Sequence, residues 1–353
     1  MKILHTSDLH LNSKMDTKLG KDKAKERKRE LLLNFRKMTE IAKDEGCRAF
    51  IIAGDLFDSE KISVSVKKNV LDIIEAASEL SFFYLPGNHE ADALLGEELL
   101  PKNLFVFGLD WTYFTIGKVA FAGRRNTESE MFSSLKKPDS AEKLIVVLHG
   151  ELADKSKPGG YIGTRELHGT DIDYLALGHY HSYSSFEFKK ERFATYSGTP
   201  LGRGFDESGE CGYVIIDATE YVSFSVRNTN GRRLVIKEID VTEIFGTHEL
   251  CDKISHACRD IPSSNLLRVN LIGKKSPELK FDLSYAEERL KGRFYYFEIK
   301  DATRLKISSD DYANDKSLKG EFIRLVLSDG TLSEKEKKDI ISTGISALMG
   351  EGI

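Results

Sequence analysis

Several things are scarce in this 353-residue sequence. No run of about 18 apolar residues occurs, so no segment has the length and composition of a membrane-spanning helix. The opening MKILHTSDLH has neither the long apolar core nor the small-residue cleavage site of a secretory signal. Only four cysteines are present, Cys47, Cys211, Cys251 and Cys258, and none belongs to a C-x-x-C pair. That argues against a zinc ribbon or a disulfide framework and fits reduced thiols used for packing, Cys251 and Cys258 sharing a helix face. These absences lead us to expect a cytoplasmic protein with no membrane association. The net charge of −4 does not announce a nucleic-acid binder, although local distribution matters more than the sum. Repeats and low-complexity segments are absent as well.

With 40% hydrophobic residues, the chain has material for one large domain and one or two smaller ones. Five short apolar runs have the bias of buried strands, and each stops at a polar cluster: KILHTSDLH (2–10), AFIIAGDLFD (49–58), FFYLPGNHE (82–90), LIVVLHGEL (144–152) and YLALGHYH (174–181). Between the first two, RELLLNFRKMTEIAKDEG spaces Leu33, Met38 and Ile41 for an amphipathic helix. SVKKNVLDIIEAASEL does the same before the third with Val66, Val70, Ile73, Ile74 and Ala77. Strand alternating with helix reads as an α/β fold with parallel pairing, in which ligands sit beyond the carboxyl ends of the strands.

From 182 to 240 the pattern turns β-rich, with a hairpin signal at Asn230-Gly231. It predicts a second sheet layer that closes a first domain, residues 1–240. Residues 241–307 alternate helix and strand as a compact α+β module, and 308–353 read as terminal helices, the last placing Ile341, Ile345, Leu348 and Met349 on one face. The segment 14–37 carries ten Lys/Arg against four Asp/Glu, suiting either a solvated helix face or a phosphate-contacting surface.

The five polar clusters supply Asp8, His10, Asp55, Asp58, Asn88, His89, His149, His179 and His181. Carboxylate beside imidazole suits intermediate divalent metals, and seven of these residues suffice for two ions. In one arrangement Asp55 bridges both ions, with Asp8, His10 and His181 completing one and Asn88, His149 and His179 the other. In the H-x-H pair, residues i and i+2 of an extended chain project to the same side, so His179 and His181 reach neighbouring ions, while Gly178 permits close chain approach. Such a pair lowers the pKa of a bridging water and clamps both oxygens of an in-line displacement at phosphorus, with a metal-bridging hydroxide as nucleophile.

In order and spacing, DLH, GDLFD, GNHE, LHGE and GHYH resemble the five motifs of the calcineurin-like metallophosphoesterases. The stretch YSGTPLGRGFDESGECGYVIID (196–217) and the LLRVNLIG module are similar to the DNA-repair exonuclease branch of that family, with its SbcD-like and YhaO-type members. This resemblance implies a two-sheet α/β sandwich with a small C-terminal α+β capping domain that selects DNA, and the same ligand split. It implies that His89 contacts the scissile phosphate and assists the leaving oxygen. Asp58 would then orient His89, or alternatively serve as a helix N-cap. Arg124, Arg125 and Arg203 are candidate phosphate contacts, or surface charge. The implied cofactors are two divalent ions, Mn first, with Fe, Zn or Mg as alternatives. The implied partners are DNA and an SMC-like coiled-coil ATPase docked on the terminal helices, with a homodimer also compatible. The lysine-rich stretch after DLH departs from the branch, lacking its Gly-Tyr type turn with a nearby His.

The expected function is therefore that of a two-metal phosphodiesterase, a DNA exonuclease or endonuclease. A phosphatase or small-molecule phosphodiesterase would share the same metal core, and a non-catalytic metal-binding scaffold for the ATPase is a third class. His5 reads as a packed core histidine, and His168, His248 and His256 as structural or exposed. Trp111, Tyr113 and Phe114 read as hairpin core, and RFYYFEIK (293–300) as a half-buried strand.

Overall fold

The structure, a computed structural model, describes all residues except 16–18, 60, 88–99, 277–278, 306–311, 313 and 349–353. Its N-terminal part runs β1 (Lys2–Thr6), α1 (Lys21–Asp44), β2 (Cys47–Ala53), α2 (Val64–Ala76), β3 (Ser81–Leu85) and β4 (Leu104–Val106). The buried stripe of α1 is Leu31, Phe35, Met38 and Ala42, spaced four, three and four residues apart. Leu33, expected on that face, lies outside it and is 50% exposed. α2 buries Val70, Ile73 and Ile74, and begins where the Ser63 hydroxyl accepts from the Val66 N–H at 3.3 Å. Ser63 therefore caps this helix, and Asp58 is released from that alternative.

The chain continues through β5 (Thr112–Ile116), β6 (Val119–Gly123), β7 (Lys143–His149), β8 (Glu151–Ala153), β9 (Tyr161–Gly163), α3 (Thr164–Leu167), β10 (Tyr174–Gly178), β11 (Ser184–Lys189), β12 (Arg192–Tyr196), β13 (Gly212–Asp217) and β14 (Ser223–Asn228). Two six-stranded sheets result, in the orders β14-β13-β1-β2-β3-β4 and β11-β12-β10-β7-β6-β5. β1 to β4 are mutually parallel, as are β6, β7, β10 and β12. The five predicted strands thus divide three and two between the sheets. The β-rich stretch after 182 builds no layer of its own: β11 and β12 extend the second sheet, whereas β13 returns to pair antiparallel with β1 in the first. One core fills the space between the sheets, with Ile3, Ile51 and Phe83 meeting Phe121, Val147 and Tyr174. A second packs α1 and α2 on the outside of the first sheet, and a third covers the second sheet with Met131, Leu167 and Ile172. This is a two-sheet α/β sandwich.

The chain divides into two compact units, Met1–Arg233 and Leu234–Ile353. Asn230-Gly231 falls just before the division, and β14 has no hairpin partner in the strand that follows. That strand, β15 (Leu234–Asp240), pairs parallel with β16 (Leu266–Ile272) in the second unit. β16 pairs in turn with a parallel strand at Tyr296–Asp301, and helices α4 (Thr247–Ala257) and α5 (Leu283–Leu290) share one core with this sheet through Cys251, Cys258 and Ala286. Two terminal helices, Leu318–Ser328 and Glu334–Leu348, close on Ile323, Ile341 and Ile345. Among the described residues no helix is long and apolar enough to cross a membrane.

Candidate metal centre

Parallel strands end on a common side, and the polar residues just past β1, β2, β7 and β10 meet there. The segments beyond β1 and β2 stay zipped together after the sheet ends: Asp8 N–H donates to the Gly54 carbonyl at 3.1 Å and His10 N–H to that of Asp55 at 2.9 Å. Across the second sheet, Gly178 pairs with His149 in the β7–β10 register. Two glycines allow the sheets to close. A Cβ at Gly54 would lie 1.9 Å from His149 Nδ1, and one at Gly178 would lie 1.8 Å from the Ala53 carbonyl oxygen. The backbone is strained where chemistry is expected. Asp8 (φ 51°), His10 (φ 45°), Asp55 (φ 49°) and His179 (φ 111°) all occupy the left-handed region, which few non-glycine residues enter without a compensating role.

Asp8 and Asp55 are buried between these chain ends, at 0% and 2% exposure. Asp8 accepts from the His179 N–H with both carboxylate oxygens, at 3.2 and 3.1 Å. Asp55 Oδ2 lies 3.7 Å from His10 Nε2 and 3.4 Å from His149 Nε2, between the two histidines a bridging ligand would join. Two sets of ligand atoms, from Asp8, His10 and His181 and from Asp8, Asp55 and His149, each fall within 4.8 Å of one another. Asp8 thus belongs to both sets.

The donors fit a cation. His10 Nε2 and His181 Nε2 approach to 3.3 Å, while their Nδ1 atoms face carboxylates: His10 Nδ1 is 3.1 Å from Asp58 Oδ1, and His181 Nδ1 is 2.8 Å from Glu207 Oε1. Hydrogens on both Nδ1 atoms leave two Nε2 lone pairs converging on one point beside Asp8, a repulsive arrangement that a divalent ion relieves. On the other side, His149 Nδ1 lies 3.0 Å from the Ala53 carbonyl, which directs its Nε2 at Asp55 in the same way.

Titration follows the same field. Burial pulls His149 down, but the hydrogen bond to Asp55, the charges of Asp8 and Asp55 and the Ala53 carbonyl outweigh it and lift the imidazole to about 9. The two buried carboxylates thus favour positive charge on His149. His181 is raised, first by its hydrogen bond to Glu207 and against burial. His179 is lowered by burial and by neighbouring His149. Burial pushes Glu207 up, yet hydrogen bonds from His181 and Arg203 hold it down at about 2.

The expected phosphate contacts separate. Arg125 lines a cleft of about 720 Å³ beside His149 and His179, whose walls include Thr127, Glu151 and Tyr161. Arg124 points inward: its side chain is 3% exposed, Nη2 donates to Glu128 at 2.7 Å, and the guanidinium lies 5.6 Å from the Trp111 ring centroid. It braces the β5 region. Arg203 is likewise committed elsewhere, with Nη1 on Asp58 Oδ1 at 2.6 Å and Nε on Glu207 Oε1 at 3.0 Å. Asp58, expected to orient His89, stands against His10. Asn88 and His89 lie outside the described residues. Glu207 escaped the sequence reading; its only signal was a carboxylate four residues after Arg203 in GRGFDE. The basic helix contributes less free charge than its composition suggested, since Arg27 is fully buried and donates to the Gly202 carbonyl at 2.6 Å.

Known proteins resemble this chain. The model of the Calcineurin-like phosphoesterase family matches residues 1–183. The chain is 25% identical over 364 residues to the DNA double-strand break repair protein Mre11 of Methanosarcina acetivorans, covering 94% of this chain and 56% of the relative. It is 24% identical to an uncharacterised metallophosphoesterase, YhaO, of Bacillus subtilis, covering 69% and 64%. To the SbcD component of the nuclease SbcCD of Bacillus subtilis it is 24% identical, covering 62% and 66%. The chain therefore spans between 56% and 66% of the length of these relatives.

Proposed function

The chain belongs to the calcineurin-like phosphoesterase family, and from that membership we propose that it is a two-metal phosphodiesterase that hydrolyses DNA. The observation that carries this reading is the convergence of three imidazoles, those of His10, His149 and His181, and two buried carboxylates into overlapping ligand sets. Asp8, His10, Asp55 and His181 would hold one ion, and Asp55, Asn88, His149 and His179 the other. Two such ions would supply Lewis acidity, acidifying a water nucleophile and offsetting charge on a phosphate ester undergoing in-line displacement. Manganese suits the mixture of carboxylate and imidazole, with iron, zinc and magnesium as the competing ions.

This chain's own groups supply the rest. Arg125, which lines the cleft with His149 and His179, would hold a non-bridging phosphate oxygen. His89 would donate a proton to the departing 3′ oxygen, a task suited to an imidazole near neutrality. The module at 241–307 would select DNA geometry. The terminal helices, Leu318–Ser328 and Glu334–Leu348, expose Leu318, Leu325, Ile340 and Leu348 at 39% or more, and this apolar surface suits docking on a coiled coil of an SMC-like ATPase. One relative is named for DNA double-strand break repair and another for a nuclease, which favours a nucleic-acid substrate over a free monoester.

The test compares exonuclease and endonuclease assays on single- and double-stranded DNA, run with Mn, against a bis-aryl phosphodiester and an aryl monoester. Cleavage of DNA that Asp55→Asn abolishes together with metal content is expected. Turnover of the aryl esters with none of any DNA would instead assign a small-molecule phosphodiesterase or phosphatase. Full metal binding with no hydrolysis of any substrate would assign a scaffold.

A further inference from the structure

The two halves of the centre differ in what stands behind the imidazoles. His149 Nδ1 is backed by the neutral Ala53 carbonyl at 3.0 Å. His10 and His181 are backed by carboxylates, Asp58 and Glu207, at 3.1 and 2.8 Å. One guanidinium joins those carboxylates: Arg203 donates from Nη1 to Asp58 Oδ1 at 2.6 Å, and from Nε to Glu207 Oε1 and Oε2 at 3.0 and 3.3 Å, while its backbone N–H donates to Glu207 Oε2 at 2.7 Å. The assembly is shielded, with the Arg203 side chain 16% and that of Glu207 2% exposed.

We propose that Arg203 is a positioning residue that fixes the His10 and His181 imidazoles through Asp58 and Glu207, making the Asp8–His10–His181 set the tighter of two cation sites. The inference rests on the two-ion reading above. A carboxylate behind an imidazole fixes its tautomer and orientation and raises its basicity, and loss of such a partner weakens metal binding by about 10–100-fold. A planar fork reaches two carboxylates at once, whereas an ammonium is a single point charge on a flexible stem. The bare charge of Arg203 acts in the opposite sense, because a cation nearby repels a second one. Geometry and charge therefore predict opposite signs on removal of Arg203, and the sign separates them.

Metal-free full-length protein is titrated with Mn(II), followed by calorimetry and by electron paramagnetic resonance of the bound ion. Wild-type protein is expected to fill in two steps; His181→Ala should remove the tight step and His149→Ala the weak one. Arg203→Met and Arg203→Lys should each weaken the tight step by roughly 10–100-fold and leave the weak step in place. Glu207→Gln should weaken it in the same direction, and serves if the Arg203 variants fold poorly in thermal melts of the metal-free protein. Tighter or unchanged binding in Arg203→Met overturns the clamp, as does full retention of affinity in Arg203→Lys or an equal loss at both steps. Absence of Mn(II) binding to wild-type protein overturns the two-ion reading itself and the clamp with it.

Discussion

Beneath the metal centre, His5 sits between the two sheets at 0% exposure, and its environment sets an acid limit on stability. Its Nε2 lies 3.3 Å from the Leu177 carbonyl and its Nδ1 3.2 Å from the Tyr174 hydroxyl. The carbonyl only accepts, so Nε2 carries the hydrogen and Nδ1 accepts from the tyrosine, a neutral ring on both counts. Burial, opposed by the Leu177 carbonyl, lowers this histidine from 6.5 to about 3. The unfolded chain takes up a proton here as the pH falls below 6.5, and the folded chain does not until about 3. Stability is therefore fully present above 6.5 and falls by about 1.4 kcal/mol per pH unit between those values, which is about 2 kcal/mol by pH 5. His5→Gln keeps an amide hydrogen for Leu177 and an oxygen for Tyr174 but does not titrate. Urea unfolding of both proteins between pH 5 and 8, with chelator present, should show the gap between them narrowing by about 2 kcal/mol toward pH 5, because all other histidines cancel in the difference. The single tryptophan, Trp111, reports on the first unit. Parallel pH profiles for the two proteins would refute the argument.

Other consequences are equally direct. Gly178→Ala places a Cβ 1.8 Å from the Ala53 oxygen and 2.9 Å from His149 Nδ1; a loss of about 3 kcal/mol, the upper end for overpacking because the obstacle is backbone, should appear as a lowered urea midpoint with weakened metal binding. Arg124→Ala should cost about 1–2 kcal/mol of stability through lost packing on Trp111 and leave the KM for substrate unchanged in steady-state assays. Arg125→Ala should do the reverse, raising KM several-fold with stability within about 0.5 kcal/mol of wild type in thermal melts. Ser63→Ala should lower stability by about 1 kcal/mol in urea titrations through loss of the α2 cap, with metal content untouched.

Much of this molecule was legible in its residues. Apolar runs ending in DLH, GDLFD, LHGE and GHYH have strand composition and stop where a core can no longer bury the chain, so β1, β2, β7 and β10 and the residues just beyond them follow from local chemistry. α1 and α2 follow from 3.6-residue periodicity, although Leu33 shows that a triple of apolar residues allows two choices of face and only packing selects one. The candidate ligands stood out because the strand-like runs each stop at a cluster of imidazole, carboxylate or amide side chains.

Three features were decided only by tertiary structure. A period-2 pattern marks a strand and its buried face but carries no information on which sheet edge receives it, so the division of the strands between two sheets and the return of β13 to β1 came from long-range pairing. Asn230-Gly231 has the chemistry of a hairpin turn, yet β15 finds its partner in β16, further along the chain. Charge is as ambiguous as pattern: Arg124, Arg125 and Arg203 are identical in sequence terms, and their roles as brace, cleft lining and clamp depend on which carboxylates or open space the fold brings within about 3 Å. Residue chemistry by itself determined that imidazoles and carboxylates able to hold a metal would stand at the strand ends. Because ion pairing acts between groups far apart in the chain, only the folded arrangement decided that Glu207, Asp58 and Arg203 would stand behind them.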